Sequence, residues 1–487
     1  MSLLWGKGWG REMVLKLFKH QEDGIDFITK NHGNGALWWS MGLGKTLAGI
    51  SVYKAMREKN PKLKLLVFCP ISLINAAWGH DISRFSDLRW IDCHQDGFPG
   101  GFDVYICNYE MILSENNRKN INAMISANPF MCILDESSKI KNFKAKTTKE
   151  ILRLRERLAH RIVMSATPAP NELTEYWPQI LFVNKGVFHE SFYAFRNHYF
   201  HLGRGNQKMI PNGSFMTREA AREIFSKGWK YEITPTKQKE LLNRIAPHCH
   251  YARKEDCMDL PDQLDEVRLV QMGVNQSRIY RQMKNEAIAE IESQPITAQV
   301  ALTKILKLRQ ITSGFAIAEH GEVKEIGENP KLNELSDVLE EAGNQQVIIW
   351  ANFHHEINAI QKLLGDKATA IFGEVTDKEE AINDFKEGRK QYLIAHPRSA
   401  AHGLTFVNCC LQVFYSLDYS WESYFQAKGR THRFGQVNKC TYVHILCQQT
   451  IDEHVYDVLQ RKGDAVELVR MMLNERTNSQ SKRHAHA

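Results

Sequence analysis

The chain is 487 residues long, with a hydrophobic fraction of 43%, a charged fraction of 24% and a formal net charge of +7. That length holds about three average domains, and the absence of an apolar run of bilayer length or of a secretory pattern at Met1-Ser2-Leu3-Leu4-Trp5-Gly6 argues against a membrane or exported protein. The 10 cysteines follow no repeating spacing, so reduced thiols are expected, and the mild positive charge permits a phosphate-backbone partner without establishing one.

In chain order, the apolar runs 65–69, 104–107, 131–134 and 161–164 read as strands buried on both faces of a parallel sheet. Each runs directly into polar or small residues, where a doubly wound sheet keeps its site. From about 178 to 314 the pattern turns mostly helical. Ile279, Met283, Ala287 and Ile291 share one helical face, and Ile305, Leu306 and Leu308 continue the apolar stripe. A second strand series follows at 347–350, 392–395 and 411–415, then a closing helix from about 451 to 473 and a polar tail, 474–487, expected to be disordered. The chain divides accordingly into a first lobe, 1–262, with an insertion at about 178–255, and a second lobe, 263–473, with a helical segment at about 275–314. No fixed period stands out, which argues against a solenoid or propeller.

Met41-Gly42-Leu43-Gly44-Lys45-Thr46 precedes the helix-forming Leu47-Ala48-Gly49-Ile50. Its glycines let backbone N–H groups converge on phosphate oxygens, Lys45 would reach the β- and γ-phosphates, and the Thr46 hydroxyl would bind Mg²⁺. The full phosphate-loop pattern wants glycine at position 39, where Trp39 stands. About ninety residues on, the strand 131–134 delivers Asp135-Glu136-Ser137-Ser138. Two adjacent carboxylates there suit a ligand of Mg²⁺-bound water, Asp135, beside a base that deprotonates the attacking water, Glu136. His248, Cys249, His250 and Cys257 offer four metal-binding side chains, but their spacing matches no usual zinc framework. No Gly-x-Ser-x-Gly elbow is present in a hydrolase context.

The order of these motifs resembles helicase superfamily two, specifically the Swi/Snf-type ATPases. Leu17 to Gly24 is similar to the glutamine motif, with Gln21 implied to read the adenine edge. Cys69-Pro70-Ile71-Ser72 followed by Trp78, Cys107-Asn108-Tyr109-Glu110, Asp135 to Asn142, and Met164-Ser165-Ala166-Thr167-Pro168 followed by Asn171 resemble the first-lobe motifs. In the second half, Val347 to Phe353, Arg398 to Leu404 and, most specifically, Gln426-Ala427-Lys428-Gly429-Arg430-Thr431-His432-Arg433-Phe434-Gly435-Gln436 resemble the fourth, fifth and sixth motifs. Phe195 to Tyr199, Arg253 to Asp256 with Leu260-Pro261, and Thr450 to Glu453 resemble the insertion, its exit and the closing helix.

The resemblance implies an α/β fold of two RecA-like parallel-sheet lobes, with a mainly helical insertion between them and a C-terminal helix. It implies ATP held by Gln21, Met41, Gly42, Leu43, Gly44, Lys45, Thr46, Gly403 and Gln426, and Mg²⁺ held by Thr46 and Asp135. The implied catalytic set is Glu136, Asp135, Lys45, Arg430 and Arg433. Arg430 and Arg433, three apart and so on one face if helical, would reach the γ-phosphate from the second lobe. Ser72, Tyr109, Lys141, Thr167, Asn171, Phe353 and Arg398 are implied to touch a DNA backbone, without reading bases. Three positions depart from the family pattern: Ser138 stands in place of histidine, Trp39-Ser40 in place of an acidic pair, and Gly429 in place of aspartate.

The expected activity is ATP-driven movement of a monomer along duplex DNA without strong sequence preference. A strand-separating or annealing helicase at forks and junctions remains open, as does an ATP-switched DNA- or polymerase-binding factor. A cytoplasmic setting in a bacterial or virus-infected cell is expected ahead of a nuclear one.

Overall fold

The computed structural model of the chain describes residues 17–170, 172–204, 207–209, 230–293, 298–317, 322–373, 378–397, 399 and 404–461. Asn171, Arg398, Gly403, the expected end of the closing helix and the tail lie outside them.

Helix α1 (Lys19–Lys30) leads into strand β1 (Gly35–Trp39), and the phosphate-loop turn joins β1 to helix α2 (Lys45–Lys59). Then come β2 (Lys64–Cys69), β3 (Trp90–Asp92), β4 (Val104–Asn108), β5 (Phe130–Asp135) and β6 (His160–Met164). A small antiparallel sheet follows, of β7 (Phe200–Arg204), β8 (Gln207–Met209) and β9 (Lys230–Ile233), and after it β10 (Cys249–Ala252). The first large sheet has the order β10-β1-β6-β5-β2-β4-β3, and every neighbouring pair is parallel. Successive residues of its strands feed opposite cores: Leu65 and Val67 pack on one face with Val52 and Tyr53 of α2, Leu66 and Phe68 on the other with Ile121 and Ile180. A sheet covered on both faces needs apolar side chains at every position, which is why these strands read as unbroken apolar runs.

The second large sheet is built from β11 (Gln263–Val270), β14 (Val347–Trp350), β15 (Ala368–Ile371), β16 (Tyr392–Ala395), β17 (Leu411–Phe414) and β18 (Cys440–Cys447), following a two-stranded hairpin of β12 (Phe315–Ile317) and β13 (Val323–Glu325). Its order is β11-β18-β17-β14-β16-β15, again with parallel pairs throughout. Ile348, Trp350 and Leu393 face one core and Val347, Ile349 and Ile394 the other. These are the two RecA-like lobes.

Between them lie the helices Tyr176–Val183, Phe192–Tyr199, Pro235–Ile245, Val274–Ser293 and Ala298–Thr312. Ile279 and Met283 pack against Leu308 and Ile311 of the last of these. The same stretch also supplies strands that periodicity did not reveal: the small sheet, and one edge of each large sheet, β10 and β11. Edge strands are half covered, so a polar run such as His248-Cys249-His250-Tyr251 can pair without the apolar signature of a central strand. No helix among the described residues is long and apolar enough to cross a membrane.

Candidate nucleotide site between the two lobes

The carboxyl ends of the parallel strands carry the motifs, as the doubly wound arrangement requires. Trp39 is the last residue of β1 rather than part of the phosphate turn. It is fully buried, edge-on to His20, and its indole N–H donates to His250 Nδ1 at 2.9 Å. A β-carbon on Gly24 would come within 2.2 Å of the Trp39 ring, so bulk at one position is matched by its absence at the other. Gly42 and Gly44 hold φ of +81° and +74°, a region open to glycine and strained for other residues. Helix α1 clamps the loop from outside: Gln21 Nε2 donates to the Leu43 carbonyl at 3.1 Å, and its Oε1 accepts from Phe18 N at 3.0 Å. One donor and one acceptor of that amide remain for a purine edge.

Lys45 opens α2, with Nζ donating to the Trp39 carbonyl at 3.0 Å, and Thr46 follows it, half-buried. From β5, Asp135 accepts from the Trp78 indole at 2.9 Å on Oδ2 and from the Glu136 backbone N–H at 3.0 Å on Oδ1. Glu136 sits at φ +53°, an uncommon conformation for a residue with a β-carbon and one that collects at functional sites. Burial pushes the Glu136 pKa up to about 7, with Asp135 adding to the rise, while Lys45 and Arg430 offset part of it. Asp135 is raised as well, chiefly by burial and against the pull of Lys45.

The second lobe meets the first through this site. Arg430 and Arg433 each donate to the Leu404 carbonyl at 3.0 Å, and Arg433 also to Thr405 Oγ1 at 2.6 Å. A β-carbon on Gly42 would lie 2.7 Å from Arg433 Nε, which places that guanidinium on the phosphate loop. Burial lowers the two arginines to about 9 and about 10; both remain cationic at neutral pH. Ser138 Oγ donates to Glu422 Oε1 at 2.8 Å, and Lys141 pairs with Glu422 Oε2 at 3.4 Å. Met41 Sδ would touch a β-carbon on Gly429 at 3.3 Å, so the missing aspartate there leaves room for the methionine. Phe18 and Phe434 meet edge-on at 5.3 Å.

The donor set suits a nucleotide with its metal: cations and loop N–H groups for phosphates, a carboxylate and a hydroxyl for a hard cation. Three buried polar atoms here, Glu136 Oε2, Arg430 Nε and Gln426 Nε2, have no protein partner. Native interiors leave few such groups, and the nearness of Glu136 and Arg430, which interact electrostatically, fits a site built to receive water and phosphate. A cavity of about 290 Å³ opens beside it, lined in part by Ser40, Met41, Lys254, Trp421, Gly429 and His432.

The structure thus gathers Gln21, the loop 41–46, Asp135, Glu136, Arg430 and Arg433 at one seam, while Gln426 is buried on the helix Trp421–Lys428. Two of the expected DNA contacts are buried. Tyr109 is 2% exposed and spends its hydroxyl on the Asp135 carbonyl at 2.8 Å, and Thr167 is wholly buried. Tyr109 directly follows β4 and Thr167 lies three residues past β6, and sequence could not distinguish a side chain turned under the sheet from one turned out of it. Ser72 is exposed, Phe353 is half-buried under the Arg309 guanidinium, and Lys141 is held by Glu422. Ser138, in place of histidine, keeps a link to the second lobe by a different chemistry. Sequence reading missed Glu422, Lys254 and the task of Trp78; none stands in a motif that names its partner.

Comparison with known proteins finds two family models in succession along the chain. The model described as SNF2-related domain matches residues 20–314, and that described as helicase conserved C-terminal domain matches 330–435. Similar curated proteins include protein p41 of Acyrthosiphon pisum secondary endosymbiont phage 1, 23% identical over 86% of this chain and 91% of that one. An uncharacterized ATP-dependent helicase of Mycoplasma genitalium is 24% identical over 96% of this chain and 43% of its own length. The Caenorhabditis elegans homolog of the SWI/SNF-related matrix-associated actin-dependent regulator of chromatin subfamily A-like protein 1 is 23% identical over 93% and 62%. The chain therefore spans nearly all of the phage protein and less than two thirds of the other two. Among solved structures, the Sulfolobus solfataricus SWI2/SNF2 ATPase core in complex with dsDNA is 20% identical, covers 94% of this chain and 95% of its own, and gives a TM-score of 0.41.

Proposed function

This chain belongs to the SNF2-related ATPases of helicase superfamily two, and from that premise we propose that it hydrolyses ATP between its lobes to translocate along duplex DNA. The observation that carries the reading is the seating of Arg433 against Gly42, which joins the second lobe's cation to the first lobe's phosphate loop. Lys45, Thr46 and the loop N–H groups would hold the triphosphate, Gln21 the base, and Thr46 with Asp135 the Mg²⁺. The metal, when bound, supplies charge neutralisation at the phosphate oxygens. Trp78 fixes the orientation of the Asp135 carboxylate by donating to its Oδ2. Glu136 Oε2 takes the proton of the attacking water, and its raised pKa suits a base working near neutrality. Arg430 and Arg433 neutralise charge that develops as the terminal phosphoryl group leaves. Because they arrive from the second lobe, hydrolysis and lobe closure are coupled. The working unit is a single chain, with a lobe boundary between Asp262 and Gln263.

Ser72, Phe353 and Arg398 are proposed to follow phosphates of one DNA strand, with Lys141 joining them when it leaves Glu422. Such contacts release counterions, so DNA affinity should fall steeply with salt and vary little with sequence. The test pairs an ATPase assay on duplex, single-stranded and forked DNA and RNA with triplex-displacement and strand-displacement assays. Duplex-stimulated turnover with triplex displacement and no unwinding is the expected result. Unwinding of long duplexes would move the chain to the strand-separating helicases, and turnover indifferent to all nucleic acids would leave an ATP switch.

A further inference from the structure

Lys254 opens the short helix Lys254–Cys257, between β10 and the crossing to the second lobe. It is 7% exposed, and its Nζ donates to the backbone carbonyl of His432 at 2.6 Å. His432 immediately precedes Arg433, and its ring Nε2 lies 2.9 Å from the Pro261 carbonyl. The turn bearing Arg433 is thus gripped on both sides by the segment 254–261, which joins the lobes. Within the second lobe the turn is stiff, since Gln436 Nε2 reaches the Cys409 carbonyl at 2.8 Å and Gln412 Nε2 the Thr431 hydroxyl at 2.7 Å.

A buried ammonium on one neutral carbonyl is an expensive way to join two surfaces, because an apolar residue of similar volume often stabilises as well or better. The groups facing Lys254 sharpen the point. Burial lowers its pKa to about 7, with Arg433, Lys45 and Arg430 pushing the same way and Glu255 partly opposing; Lys254 in turn contributes to the lowered pKa of His432. Such a contact makes sense where position matters more than stability, and where anionic phosphates relieve the crowding of cations.

We propose that Lys254 is a positioning residue of the nucleotide site, holding the Arg433 turn against the phosphate loop through the His432 carbonyl when the lobes close. The proposal rests on the reading of Arg433 as the residue that neutralises the leaving phosphoryl group. An arginine delivered to a transition state acts only at the right place, and a displacement of about 1 Å removes most of its effect.

The experiment compares Lys254→Met, Lys254→Arg and Arg433→Ala in the full chain at saturating duplex DNA. It records kcat, KM, nucleotide affinity by fluorescent ATP analogue, the pH profile of kcat, and the unfolding midpoint. Lys254→Met is expected to lower kcat by roughly tenfold to a hundredfold, the worth of one charge-assisted hydrogen bond, with nucleotide affinity and unfolding midpoint essentially unchanged. Lys254→Arg should restore part of kcat. It should also abolish a decline of kcat with a midpoint near pH 7 in the wild type, since a neutral amine donates more weakly and arginine stays charged. Full kcat in Lys254→Met beside an inactive Arg433→Ala overturns the proposal while sparing the site. Lost nucleotide affinity at unchanged kcat overturns it in favour of a direct phosphate ligand. Wild-type turnover by Arg433→Ala overturns both the site reading and the proposal. If Lys254→Met fails to fold, the Lys254→Arg profile decides, and a decline of kcat with a midpoint near pH 7 that persists there overturns the proposal.

Discussion

Lys331 and Lys254 are both buried, the first in the core of the second lobe and the second at the seam between lobes. Lys331 Nζ lies 2.5 Å from Asp452, whose carboxylate also accepts from the Thr312 hydroxyl at 2.9 Å and the Cys447 N–H at 3.1 Å. Burial by itself would lower the Lys331 pKa, but the Asp452 charge outweighs it and the pKa is raised. Lys254 donates to a carbonyl instead, and burial, helped by three nearby cations and only partly opposed by Glu255, brings its pKa down. A buried charge with a complete set of partners ties a helix to a sheet within one lobe. At Lys254 the one opposing carboxylate, Glu255, does not outweigh burial and the neighbouring cations, so the charge is left incompletely compensated.

The same contrast holds for carboxylates, and it sets the largest expected effect. Glu136 at the seam is charged only against its surroundings. Glu136→Gln should lower turnover by roughly a hundredfold to ten-thousandfold, the range for lost general-base catalysis, with ATP affinity retained. It should also stabilise the fold. A carboxylate with a raised folded-state pKa holds its proton better folded than unfolded, so its contribution is intact below the unfolded pKa and lost as pH rises through the folded one. With a folded value of about 7, that loss falls between the ordinary glutamate range and neutrality. Glu136→Gln should therefore raise stability by about 1–3 kcal/mol at slightly alkaline pH and by little in acid, as read by urea unfolding at the two pH values. An equal change at both would mean that Glu136 is not held out of its ordinary titration range.

The core pair should behave in the opposite sense. Asp452→Asn leaves the Lys331 charge without its partner and should destabilise the second lobe by about 3–5 kcal/mol, with turnover lost only as far as folding is lost. Replacing both members with apolar residues of similar volume should recover most of that stability. A smaller destabilisation by Asp452→Asn than by Lys254→Met would reverse the comparison. The mildest effect is expected at the seam's neutral link. Ser138→Ala removes the 2.8 Å bond to Glu422 and should weaken lobe contact by about 0.5–1.5 kcal/mol, since that is the net worth of a typical hydrogen bond. The readout is kcat at saturating DNA, with an unchanged unfolding midpoint.

Much of the site was legible because its parts are local. The glycines at 42 and 44, Lys45 and Thr46 form one turn into one helix, and their spacing states their chemistry. Asp135-Glu136 follows a strand whose unbroken apolar run announces burial on both faces, and Arg430 with Arg433 lies in an eleven-residue motif. Trp39 shows where local reading stops: a residue foreign to the loop pattern is an ordinary end of a strand, possible because Gly24 and His250 make room and supply an acceptor.

By itself the sequence determined that two apolar strand series would form two parallel sheets, that a glycine turn would open a helix at Lys45, and that an acid pair would end the strand at 131–134. Burial of continuous apolar runs and the backbone needs of a glycine turn are properties of neighbouring residues, so neighbouring residues suffice to state them. Only the tertiary structure decided which polar side chains turn inward, taking Tyr109 and Thr167 from the surface and giving Asp135 to Trp78. It alone placed Glu422 against Ser138, Arg433 on Gly42 and Lys254 beneath His432, contacts that join residues nearly two hundred to nearly four hundred positions apart. Those contacts depend on how two separately folded sheets pack against each other, and no local pattern records the geometry of that seam.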